Sequence, residues 1–171
     1  MPTHLALLRA VNVGGRTVRM EDLRRWFGEL GHARVTTFIA SGNVLFDAAG
    51  APDIEARIED KLATELGFKV ETFVRTAAEW ARIAVWAPFD GPAIARCVGC
   101  VRDPLDSAQQ ARLQALASDA DRFAVRDREV YWHCATKQSD SAFSAALFER
   151  KVGVPITFRS HTTVAKLAGL L

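Results

Sequence analysis

The chain has 171 residues, 49% hydrophobic and 25% charged, with a formal net charge of +2. That length holds one large domain or two small ones, and the composition is that of a globular protein rather than a disordered or fibrous one. The near-neutral balance argues against nucleic-acid or membrane-surface binding by bulk charge, and no run is long and apolar enough to span a bilayer.

His4–Arg9 is apolar on both faces, as a central buried strand would be. A loop, Val11–Arg19, carries the Gly14-Gly15 pair, a strong turn signal. Met20, Leu23, Phe27 and Leu30 recur at helical spacing, and Gly31 follows as a C-terminal stop. Arg34–Ala40 and Val44–Asp47 read as strands, with Ser41-Gly42-Asn43 as the hairpin between them. Pro52 opens a helix with the stripe Ile54, Ile58, Leu62 and Leu66, closed by Gly67, and Val70–Arg75 follows as a strand. The order β-α-β-β-α-β is the ferredoxin-like plan.

Thr76–Trp86 reads as a connecting helix, and Pro88-Phe89-Asp90-Gly91-Pro92 is the clearest breakpoint. The plan then repeats. Ile94–Val101 is a strand, Leu105–Ser118 a helix, and Arg122–Val125 and Val130–Cys134 are strands around an Arg126–Glu129 turn. Ser141–Val152 is a helix, Pro155–Phe158 a short strand and Thr162–Leu171 a final helix. The expectation is an α+β chain of two tandem ferredoxin-like subdomains, residues 1–75 and 93–171, joined by a connecting helix and linker over 76–92. The repeat is one of architecture, not of residues. Each half is small for an independent core, so the two are expected to pack as one rigid body.

In a βαββαβ sheet the loop after the first strand and the hairpin after the second lie at the same end. Arg9, Asn12, Gly14, Gly15, Arg16, Ser41, Gly42 and Asn43 should therefore share one rim. Glycine N–H groups can cradle an anion, arginine offers a bidentate fork, and Asn and Ser orient a ligand. Gly, Asn and Ser are also what turns require, and Arg9 could equally be tied to a carboxylate at the edge of the core. At the other end, Ser160, Thr162 and Thr163 are good caps for the last helix, with Arg159 before them and Lys166 one turn in, a further arrangement suited to an anion.

These residues resemble a bacterial family known as domain-of-unknown-function family 1697. Ala6-Leu7-Leu8-Arg9-Ala10-Val11-Asn12-Val13-Gly14-Gly15, the Met20 to Leu23 spacing, and Thr37-Phe38-Ile39-Ala40-Ser41-Gly42-Asn43-Val44-Leu45-Phe46 match its opening motifs. Thr157-Phe158-Arg159 and Thr162-Thr163-Val164-Ala165-Lys166-Leu167 match its tail. The resemblance implies two ferredoxin-like subdomains and no established activity. The chain departs from it at Ala10, where the family has Gly, and at Ser160-His161, where it has Asn-Trp.

Other chemistry is poorly supported. Cys97 and Cys100 form a CxxC, but residues three apart in a strand point to opposite faces, so no metal site is expected. Three cysteines and no secretory leader point to free thiols in the cytoplasm. Ser41 with His161 is the one nucleophile–base pair to consider. Trp26, Trp80, Trp86 and Trp132 read as packing residues, and the third strand lacks the aromatic pattern of RNA-binding sheets. No cofactor signature is present. The expectation is a small anionic, phosphorylated or nucleotide-like ligand held by Arg9, Asn12, Gly14, Gly15, Ser41, Gly42 and Asn43, with Arg159 and Lys166. The alternatives are an enzyme using that rim for group transfer, and a protein or RNA interaction scaffold.

Overall fold

The computed structural model describes residues 1–38, 42–48 and 52–171. Among these residues are two four-stranded antiparallel sheets and six α-helices. The chain divides into two units, Met1–Arg82 with Leu167–Leu171, and Ile83–Lys166.

The first unit runs β1 (His4–Leu8), α1 (Met20–Glu29), β2 (Ala33–Phe38), β3 (Asn43–Asp47), α2 (Ile54–Leu66), β4 (Thr72–Thr76) and the start of α3 (Ala77–Val85). The strand order is β2-β3-β1-β4. The 3–4 residue spacing of α1 puts Leu23, Trp26 and Phe27 in the core, and α2 adds Ile58 and Leu62. Each such side chain contributes about 1.5–3 kcal/mol on burial. The glycine stops act through their backbones. Gly31 has φ +87°, its N–H reaches the Gly28 carbonyl at 2.9 Å, and the His32 N–H reaches Phe27 at 3.1 Å, the paired bonds of a Schellman turn. The second face of the sheet is apolar too, because Leu5, Leu7, Leu45 and Phe73 are buried outside the helix-side cluster.

The second unit contains the end of α3, then β5 (Ala95–Cys100), α4 (Ser107–Gln114), β6 (Asp121–Arg126), β7 (Glu129–Cys134), α5 (Ala145–Val152), β8 (Thr157–Ser160) and α6 (His161–Ala168), whose last residues fall in the first unit. The strand order is β6-β7-β5-β8. Gly99 lets the strands close up: a Cβ there would lie 2.6 Å from both Ile156 Cδ1 and Phe158 Cε1.

Helix ends depart from the expected bounds where side chains compete for the backbone. α5 begins at Ala145 rather than Ser141. The Ser141 hydroxyl lies 2.8 Å from the buried Asp121 carboxylate and accepts the Phe143 N–H, while Ser144 takes over as cap. α4 stops at Gln114, and Ser118 turns the chain by accepting the N–H groups of Ala120 and Asp121. Three tryptophans are buried as expected, but Trp86 is only half-buried and meets Tyr131 edge-on with ring centroids 4.4 Å apart.

The registers also reveal a repeat of residues that was not expected. Leu5 pairs with Arg75, and Val98 pairs with Arg159. Aligned on these pairs, Ala6-Leu7-Leu8-Arg9 matches Gly99-Cys100-Val101-Arg102, and Arg75-Thr76 matches Arg159-Ser160. Arg75 and Arg159 are both buried, and each donates from Nη1 to the preceding carbonyl at 2.9 Å. Thr76 and Ser160 both cap the helix that follows, through Glu79 and Thr163.

Candidate functional site

The loop between β1 and α1 meets the β2–β3 turn at Gly42. The Leu8 N–H donates to the Gly42 carbonyl at 2.8 Å, and Gly42 has φ +78°. A Cβ there would come within 2.9 Å of Val11 Cγ1 and 3.0 Å of the Leu8 carbonyl, so the turn can rest on the loop only as glycine. The expected juxtaposition of these two segments is thus present at Gly42. Ser41 lies outside the described residues.

Several rim side chains hold the backbone in shape. Asn43 is buried and donates from Nδ2 to the Phe38 carbonyl at 3.0 Å, across the hairpin. Asn12 Oδ1 accepts the Val18 N–H at 2.6 Å and closes the loop on itself. Arg9 pairs with Glu71, Nη1 to Oε2 3.1 Å, and its N–H donates to the Glu71 carbonyl. Its side chain is still 35% exposed, enough to offer an edge to solvent.

The outer part of the loop is open. Gly14 and Gly15 have φ of +62° and +80°, and the Arg16 N–H closes the turn on Val13 at 3.1 Å. No atom lies within 4 Å of where either Cβ would be, so space beside this turn is unobstructed. The Arg16 guanidinium sits 4.1 Å from the centre of the Phe68 ring. Arg16, Arg19 and Arg24 line a shallow cleft with Asn12 and the first residues of α1. Arg19, at the N-cap of α1, makes no side-chain capping bond and reaches Asp22 instead. The cleft therefore combines three arginines and the Glu21 carboxylate with the positive end of a helix. Arg16 was included in the rim read from sequence. Arg19 and Arg24 were missed, although a basic residue at a helix start is the signal that would have found them.

Arg159 and Lys166 belong to the second unit. Arg159 is buried and donates to Thr157 Oγ1 at 2.8 Å as well as to Phe158. Burial pushes its guanidinium down to about 10, with the Cys100 thiol acting the other way. Ser160 Oγ accepts the Thr163 N–H and Lys166 is exposed. Cys97 belongs to the helix-side core and Cys100 does not, as opposite faces require. Burial, with Cys134 nearby, pushes the Cys97 thiol up to about 11, which leaves it protonated and unreactive near neutrality. Among the described residues, no three His, Cys, Asp or Glu side chains group as metal ligands, and no helix is long and apolar enough to cross a membrane.

Comparison with known proteins bears on both ends of the chain. A family model described as "Protein of unknown function (DUF1697)" matches residues 1–131. The tail motif, at 157–167, lies beyond that match. No curated protein matches. Among solved structures, the chain is similar to the conserved bacterial protein SP0830 from Streptococcus pneumoniae, with a TM-score of 0.78 and 21% identity over 98% of this chain and 97% of that one. At that identity the likeness establishes a shared fold and leaves chemistry to the site itself.

Proposed function

The chain belongs to the DUF1697 family, and from that premise we propose that it binds a small anionic ligand, phosphorylated or nucleotide-like, on the loop between β1 and α1. The observation that carries this reading is the cleft where Arg16, Arg19 and Arg24 meet the start of α1 beside the open Gly14–Gly15 turn. Arginine forks are donors that suit an oxyanion, and glycines admit a ligand close to the backbone. In this reading Arg9 and Arg16 face the ligand, Gly14 and Gly15 cradle it, and Ser41 belongs to the same set. Asn12, Gly42 and Asn43 keep the loop in shape. Arg159 and Lys166, in the second unit, complete the set of residues assigned to anion binding. We also read each half as ferredoxin-like, since both sheets have β-α-β-β-α-β connectivity in the order 4-1-3-2. A cytoplasmic protein with free thiols fits its three unpaired cysteines.

Thermal unfolding against phosphates, nucleotides, carboxylates and short RNA tests the proposal. A ligand at about 100 times its Kd adds about 2.7 kcal/mol, roughly 5–10 °C for a chain of this size. The expected result is a rise with phosphate-bearing ligands that is lost in Arg16→Ala and weakened in Arg9→Ala, both remaining folded. No rise with any ligand, or a rise that Arg16→Ala retains in full, would overturn it.

A further inference from the structure

The second sheet carries a histidine between two arginines across three strands. Arg122 on β6 pairs in register with His133 on β7, and His133 pairs with Arg96 on β5. All three belong to the second unit. Like charges directly opposite one another in a sheet are destabilising. His133 is 9% exposed, while the two arginines flanking it are exposed. Arg122 Nη2 lies 3.4 Å from His133 Nδ1. Among the described residues, neither arginine has a carboxylate partner. Arg122 donates to the Asp90 carbonyl and stacks on Phe89, and Arg96 donates to the Gly91 carbonyl.

A cleft reaches the centre of this row. Its lining joins Arg96, His133 and His161 to a mostly aromatic and aliphatic wall that includes Trp86, Phe89 and Tyr131, while Arg122 stands outside it on the Phe89 ring. The Phe89 ring lies 5.1 Å from the imidazole, so His133 is reached past an aromatic edge. The cleft holds about 40 Å³. One water needs roughly 10–15 Å³, so this space takes one tetrahedral group and not the ring of a nucleoside. The groups facing His133 are Arg96 from β5, Arg122 from β6, His161 from the start of α6 and Phe89, with the backbone of Asp90, from the segment before β5. Apart from the Phe89 ring and that carbonyl, they are cationic or become so on protonation.

We propose that the cleft at the row Arg122–His133–Arg96 is a binding site for a phosphate group, distinct from the loop site of the first unit, with the Arg96 guanidinium supplying a fork, the His133 imidazole a central donor and Arg122 a neighbouring positive charge. An arginine provides planar N–H pairs that match a tetrahedral oxyanion. Without the anion, burial and the neighbouring cations hold the His133 imidazole below its usual pKa. A bound dianion opposes that field, so binding takes up a proton at His133.

The test is a titration of the full chain with inorganic phosphate, and separately with glycerol phosphate, followed by NMR of the histidine ring protons. His133→Gln assigns the signal. The expected result is a saturable shift of the His133 resonance and a rise in its apparent pKa of about one unit at saturation. Arg96→Ala weakens binding about tenfold or more, and Arg122→Ala, which removes a charge beside the cleft, weakens it less. Both sites are exposed, so both variants fold. Arg16→Ala leaves the His133 response intact, which separates this site from the loop of the first unit. Tighter binding of glycerol phosphate assigns the site to phosphate esters, and tighter binding of inorganic phosphate to the free ion. The proposal fails if the His133 resonance does not respond in folded protein, if the double arginine variant keeps the response, or if Arg16→Ala abolishes it.

Discussion

The two sheets place opposite charge chemistry at the same position. Aligned on Leu5–Leu45 and Val98–Tyr131, Asp47 of the first sheet corresponds to His133 of the second. Asp47 accepts the Thr3 N–H and forms an ion pair with Arg34, which holds its carboxyl below the usual range. His133 has arginines on both sides. A matched pair at this point is therefore compatible with the fold, and the fold alone does not demand a histidine flanked by two arginines. Departures from local charge rules concentrate where a site needs them.

The largest expected effect concerns how tightly each sheet closes. Ala6 of β1 corresponds to Gly99 of β5, and both lie on central strands. Ala6 is buried without exposed surface, whereas a Cβ at residue 99 collides with Ile156 and Phe158. Gly99→Ala should cost about 1–3 kcal/mol through overpacking. Ala6→Gly should cost about 1 kcal/mol through lost packing and backbone entropy. Urea unfolding of both variants measures this. A neutral Gly99→Ala would mean that the second sheet does not need its closer approach.

Much of this frame is legible in sequence because periodicity is local. The stripes of α1 and α2, and their glycine stops at Gly31 and Gly67, need only residues within one element. Element ends are less legible when a distant side chain decides them. α5 starts late because Ser141 is held by Asp121, and no local pattern announces that bond. The loop site follows the same rule. Gly14, Gly15, Gly42, Asn12 and Asn43 read as turn formers, but the partners that fix them, Val18 and Phe38, come only with the folded chain. Arg75 lies within an apolar run and gives no sign of its burial. The row Arg122–His133–Arg96 was invisible because it depends on two strand registers, one set by the turn at Asp127 with φ +51°.

Acid should divide the two units next. His32 in the first and His133 in the second are both held below the usual imidazole pKa. For His32 the causes are burial first, then Arg57 and His4, and its ring sits against Phe27 and Phe46 with Nε2 unbonded. For His133 they are burial, then Arg96, Arg122 and His161. An unfolded histidine takes up its proton near pH 6.5. As pH falls through that value the unfolded state binds protons that the native state resists, and stability drops; above it this contribution is present in full. Melting temperature against pH should fall on the acid side, with His32→Gln and His133→Gln each removing part of the slope. Phosphate should flatten only the part that His133 carries. A profile flat between about pH 7 and pH 5 would show that neither imidazole is held neutral by its surroundings.

The smallest effect separates the exits of the two central strands. After Arg9 the chain turns left-handed at Ala10, with φ +54°, whereas the corresponding Asp103 after Arg102 does not have positive φ. An alanine in that region carries Cβ strain of about 1–2 kcal/mol, partly offset because glycine loses more entropy on folding. Ala10→Gly should therefore stabilise the chain by about 0.5–1 kcal/mol, or roughly 1–4 °C in melting temperature. The glycine that related sequences carry after this arginine then has a backbone reason. Asp103→Gly should give no such gain, because it frees the unfolded chain without relieving native strain. If both substitutions stabilise equally, the left-handed turn is not what distinguishes the loop that leads into the proposed anion site. If only Ala10→Gly does, the same variant also asks whether that strain matters for binding. A phosphate-induced rise in melting temperature that is unchanged in Ala10→Gly would show that Gly14, Gly15 and Arg16 are positioned without it.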